Sequence, residues 1–115
     1  MTGVYDGETW IISGTARDEN GDPLSLSGAV VRLLVASRDR IVFDLSSPDD
    51  VSITDQSSGQ YEATITPEQQ SSAGVAPGPH TFEVVVTLGN GTVSVQSQRT
   101  IQVMQSVLMR ADGAA

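Results

Sequence analysis

The stretch "QYEATIT", Gln60 to Thr66, decides the fold. Tyr61, Ala63 and Ile65 alternate with Glu62 and Thr64. Successive side chains of a strand point to opposite faces, so this alternation is that of a strand half buried in an antiparallel sheet. The same period recurs in both directions. Upstream lie "TWIISGTA", "AVVRLLVAS", "IVFDLS" and "VSITD"; downstream lie "HTFEVVVTL" and "GTVSVQSQRTIQVMQ". Turn residues separate the runs: Asn20-Gly21 with Pro23, Ser57-Ser58-Gly59, and Asn90-Gly91, where Asn and Gly accept the positive φ of a tight hairpin. A single helical signal interrupts them, "TPEQQSSAG", with Thr66 as cap, Pro67 at the first helical position and Gly74 as the stop.

About seven short, regularly spaced strands predict an all-β fold, an antiparallel β-sandwich of immunoglobulin type with one short helix over Pro67–Ala73. The expected core includes Trp10, Ile12, Val31, Leu33, Phe43, Tyr61, Ile65, Phe82, Val84 and Val86. The 115 residues suit one domain, and a chain of that size buries roughly two-thirds of its unfolded surface. Residues 9–104 are assigned to the sandwich, 1–8 to an N-terminal arm and 105–115 to a C-terminal arm.

Composition narrows the function classes. The chain contains no cysteine, which excludes disulfides and thiolate metal sites. The net charge is −8, every basic residue is an arginine, and the arginines are scattered. A nucleic-acid partner is not expected, because neutralising phosphates needs a basic patch. "MTGVYDGETW" lacks the basic start and apolar run of a signal peptide, and no apolar stretch reaches membrane-spanning length.

Candidate chemistry is sparse. In "RDENGDPLSLSGAVVRL", Asp18, Asn20 and Asp22 match the first three oxygen positions of a helix-loop-helix calcium loop. Pro23 stands at the glycine position of that loop and Ala29 at its glutamate, so a β-turn with solvated acids is the simpler reading. His80, the single histidine, is expected to face solvent at a strand start. No serine lies in a G-x-S-x-G elbow. Asp49 and Asp50 are adjacent on an extended chain and point apart, so they do not converge on one glycosidic bond. Trp10 alternates with Ile12 as a core residue, and aromatics at 4% are too few for a sugar-stacking platform. The expectation is a non-enzymatic protein with no catalytic residue, cofactor or metal. An antiparallel sandwich leaves edge strands that accept a partner's strand without special side chains.

One further signal lies in order rather than chemistry. Gly7-Glu8-Thr9 begins a strand, a turn runs from Asp18 to Pro23, and Leu26-Ser27-Gly28-Ala29-Val30-Val31 follows. "SSGQYEATITPEQQSSAGVAPGPHTFEVVVTLGNGTV" and the closing "RTIQV" continue the series. From Gly7 to Val103 the chain resembles a family of immunoglobulin-like domains in tailed bacteriophages, which includes the N-terminal domain of the baseplate upper protein and small tail and neck proteins. The resemblance implies a structural subunit of the virion, made in the host cytoplasm, sitting on tail, neck, baseplate or capsid surface. Its implied partners are other virion proteins in many symmetric copies, or further copies of itself, with neither nucleic acid nor membrane. With only 105–115 after the sandwich, no receptor-binding domain is expected. Val107, Leu108 and Met109, with Val4 and Tyr5 as a second set, are the candidate partner-binding residues, because an apolar terminal arm left in water is a poor ending for a monomer. The alternative is a small adhesion or ligand-binding module for carbohydrate or calcium.

Overall fold

A computed structural model describes residues 3–5, 7–38 and 40–104. Its strands are β1 (Gly3–Tyr5), β2 (Trp10–Thr15), β3 (Val30–Ser37), β4 (Arg40–Ser46), β5 (Val51–Asp55), β6 (Gln60–Ile65), β7 (Gly78–Thr87) and β8 (Val93–Met104), with helix α1 (Pro67–Ala73) between β6 and β7. They form a five-stranded sheet, β1-β8-β7-β3-β4, and a three-stranded sheet, β2-β6-β5. All pairings are antiparallel except β1 with β8. The architecture is an immunoglobulin-like β-sandwich, mostly β with one short helix.

Alternation sets the inner faces. Tyr61, Ala63 and Ile65 of β6 are buried while Gln60, Glu62 and Thr64 are exposed. Phe82, Val84 and Val86 of β7 face them from the other sheet, with Val31, Leu33 and Val35 of β3 alongside. Trp10 anchors the centre, its ring edge-on to Phe43 at 6.4 Å and tilted to Phe82 at 6.0 Å. Its indole Nε1 donates to the Tyr5 carbonyl at 2.8 Å, so the polar tip of this large side chain is satisfied inside the core. Of the expected core, Ile12 alone is only partly buried.

The turns follow their residues. Thr66 caps α1 in a capping box with Gln69, and Gly74 ends it in the left-handed conformation, φ 72°. The connection from β2 to β3 folds back on the small sheet: the Leu24 N–H donates to the Ala16 carbonyl and the Leu26 N–H to the Gln56 carbonyl. Leu26 is thereby fully buried.

Two expectations change, and one strand shows an irregularity. His80 is 2% exposed, not solvent-facing, because β7 begins at Gly78 and its inward set starts with His80. The His80 Nδ1 lies 3.1 Å from the Gly78 carbonyl oxygen, within hydrogen-bond distance. Within the stretch 1–8 read as an arm, Gly3–Tyr5 is a strand paired with Gln102–Met104. Val4 lies opposite Val103 and is 5% exposed, a member of the core rather than an exposed anchor. Finally, β8 carries a bulge. Ser97 pairs with Val84 but Val95 with Val85, leaving Gln96 as the extra residue. An extra residue shifts the side-chain phase, so Val93 and Val95 turn outward while Ile101 and Val103 stay in the core.

Candidate functional site

Two surfaces follow from this topology. The first is a groove. The small sheet has β2 at its margin, with β6 as its one neighbour among the described residues. On the facing sheet, β1 covers β8 only along Gln102–Met104. The flank of the sandwich between β2 and Val93–Ile101 of β8 is therefore open. A groove of about 500 Å³ runs there, walled by Ile11–Thr15 and floored by Ile12, Tyr61, Phe82, Val84 and Ile101. Ser97 and Arg99 belong to the inward-facing set of β8, paired with Val84 and Phe82, yet Arg99 is exposed because no strand covers it. Burial raises the Tyr61 phenol, and the Arg99 guanidinium acts on it in the opposite direction, so the charge of Arg99 is felt on the groove floor. Gly14 makes the wall thin: a Cβ there would stand 2.5 Å from the Tyr61 hydroxyl.

Gln96 lines the groove and spans the sheets at the Arg17 end: its Oε1 accepts from the Arg17 N–H at 2.7 Å and its Nε2 donates to the Arg17 carbonyl at 3.1 Å. The bulge aims Gln96 there. Away from the groove, Gln70 of α1 holds the β1–β2 link, accepting from the Gly7 N–H at 3.0 Å and donating to the Glu8 carbonyl at 2.6 Å.

The second surface is the outer face of the five-stranded sheet. Val93 and Val95 are 63% and 58% exposed, and Val30 is 44% exposed. Val93 pairs with Thr87, Val95 with Val85 and Val30 with Thr87, so these valines share one outward face, on β8 and β3, the two strands that flank β7. Further along that face Arg32 and Asp44 form a two-pronged ion pair at 2.7 and 2.6 Å. It holds the Asp44 carboxyl below its ordinary range and raises the Arg32 guanidinium.

The acidic loop is built as a turn. Asp18 Oδ1 accepts from the backbone N–H groups of Asn20 and Asp22, at 2.9 and 3.0 Å, and the Arg17 guanidinium donates to the Gly21 carbonyl at 2.9 Å. No cluster of metal-binding side chains forms among the described residues. Of the candidate partner-binding residues, Val4 is buried and Tyr5 is exposed next to Met104. Val107, Leu108 and Met109 lie outside the described residues. Sequence reasoning missed both the groove and Gln96. Gln96 stands at the polar phase of the Val93–Val95 alternation, so nothing in the sequence marks the bulge.

No family model matches the chain, and no curated protein matches it. Among solved structures, murine CRIg is similar, 16% identical over 92% of this chain and 91% of that one, with a TM-score of 0.42.

Proposed function

We propose that the protein is a non-enzymatic structural subunit of a tailed-phage particle, a tail, neck, baseplate or capsid-surface component that works by protein–protein assembly. The observation that carries the assembly role is the outward valine face on β8 and β3. Val93 and Val95 expose β-branched side chains side by side in a chain otherwise rich in surface acid. Scattered apolar residues are ordinary on a surface, but a contiguous set on one sheet face marks a contact region. The phage setting rests on the ordered resemblance of Gly7–Val103.

The reading is tested on purified particles from a lysate of the phage that encodes the chain. The protein is expected in the particle band by immunoblot. Val93→Glu with Val95→Glu is expected to leave the melting temperature within a few degrees and to remove the protein from particles. Truncation after Gln105 is expected to do the same if Val107–Met109 also contribute. Absence of the unaltered protein from intact particles rejects the proposal.

A further inference from the structure

From the groove between β2 and β8 we infer that the protein accepts an extended segment of a partner polypeptide, which adds to β2 as a fourth strand of the small sheet. The segment carries apolar side chains at alternate positions and a carboxylate at the level of Arg99. This inference does not depend on membership of a virion.

The backbone supplies the first reason. The Ala16 N–H bonds to the Gly59 carbonyl across the β2–β6 ladder. Antiparallel ladders alternate, so even-numbered residues of β2 address β6, and Ile11, Ser13 and Thr15 direct their N–H and C=O away from it. Arg17 is next in that series, and the Gln96 side-chain amide already satisfies both of its peptide groups. A single amide there does what a neighbouring strand would do for the three residues before it. The free edge from Ile11 to Thr15 is roughly 17 Å long.

Edge chemistry supplies the second. Native sheets guard free edges with short strands, charges and inward-pointing ionic residues. Here β1 is three residues long, β4 carries Arg40 and Asp44, β5 ends at Asp55, and Arg99 points inward on β8. The sequence of β2, "WIISGT", has no charge and no proline, in a chain with 14 acidic residues. Ile11 on its outer face is 60% exposed. The edge that lacks protection is the one beside the groove.

The floor selects the kind of partner. Tyr61, Phe82 and Ile101 offer apolar surface to side chains that descend between the sheets. A second copy cannot supply them through its own β2, whose inward residues Trp10 and Ile12 are engaged in its own core. An otherwise unpaired segment can, because its inward face is free. Arg99 makes no ion pair among the described residues and is the charged residue of the groove lining, which favours an acidic side chain in the segment.

The test is selection of a displayed library of random dodecapeptides on the intact protein. Enriched peptides are expected to alternate apolar and polar residues and to contain Asp or Glu. A synthetic peptide of the leading sequence should shift the amide resonances of Ile11, Ser13 and Thr15. Ser13→Pro removes an outward N–H without touching the β6 ladder and should weaken binding by about tenfold or more. Arg99→Glu alters an exposed side chain alone and should weaken acidic peptides by a similar factor, which keeps the test decisive if Ser13→Pro fails to fold. Peptides without alternation, or binding indifferent to Arg99→Glu and mapped away from β2, would overturn the inference. A dimer joined through β2 would overturn it too, by giving the edge to a second copy. So would loss of the Ile11, Ser13 and Thr15 amide protection on truncation after Met104, by giving the edge to the chain's own end.

Discussion

Gln96 brackets the peptide of Arg17, accepting from its N–H at 2.7 Å and donating to its carbonyl at 3.1 Å, across the gap between two sheets that share no strand there. Gln96→Ala leaves both groups to water and should cost about 1 kcal/mol. Urea denaturation would measure it. Gln96→Glu keeps an acceptor for the N–H, and keeps a donor for the carbonyl only while its carboxyl is protonated. It should fall between the parent and the alanine variant at a pH where the carboxyl is protonated, and below both at neutral pH.

Gln70 is buried at 3% exposure, and its amide serves Gly7 and Glu8. Gln70→Leu fits the space but removes the partners of the part-buried Gly7 N–H and Glu8 carbonyl, so the expected loss is about 1 kcal/mol. Amide exchange should accelerate first at Gly7 and along β1. Uniform acceleration across both sheets would show that the side chain does not hold this link.

Phe82→Ala removes a ring in contact with Trp10 and should cost about 3–5 kcal/mol through the cavity left behind. The same substitution enlarges the groove floor, so peptide binding there should weaken in parallel.

Gly59 adopts φ 72°, and a Cβ would stand 2.5 Å from the Leu24 carbonyl oxygen and 2.7 Å from that of Ala16. Both obstacles are backbone. Gly59→Ala should therefore cost at least about 2 kcal/mol from strain and displacement together. Gly21 has a similar φ of 85° with open space around it, and Gly21→Ala should be the milder of the two.

Asp44 and Asp55 are both held below the ordinary carboxyl range, Asp44 first by its hydrogen bond from Arg32, Asp55 first by the Ser57 hydroxyl and then by the Ser58 N–H. A carboxylate with a lowered folded-state pKa stabilises the fold above its unfolded pKa, and that contribution fades as pH falls through the folded value. Stability should decline as pH drops below about 4. Asp55→Asn should flatten that decline, as should Asp44→Asn. An unchanged slope in both variants would remove these two groups as its cause. Asp44 is exposed and ion-paired, so high salt should weaken its effect more than that of the half-buried, hydrogen-bonded Asp55.

Local rules determined most of the framework. Alternation in Gln60–Ile65 and Val30–Ser37 fixed which residues face inward, because a strand has a strict period of two. Thr66, Pro67 and Gly74 determined the helix ends, since capping is a contact between residues three or four apart. These signals lie within one turn or one strand and need no partner to be legible. The sandwich was legible too, as the way to bury many half-apolar strands.

Pairing between distant residues decided the rest. That Val4 joins the core depended on β1 choosing β8 in parallel, and nothing in "GVY" names its neighbour. His80 became buried because β7 started two residues earlier than its apolar run. Val93 and Val95 went outward, and Gln96 reached Arg17, because one extra residue in β8 shifted its register against β7. A bulge leaves composition and spacing unchanged and becomes visible only when two strands are laid side by side. The groove has the same origin. An open flank is a property of which strands are neighbours, and neighbours across 79 residues of sequence, as Arg17 and Gln96 are, meet only in the folded chain.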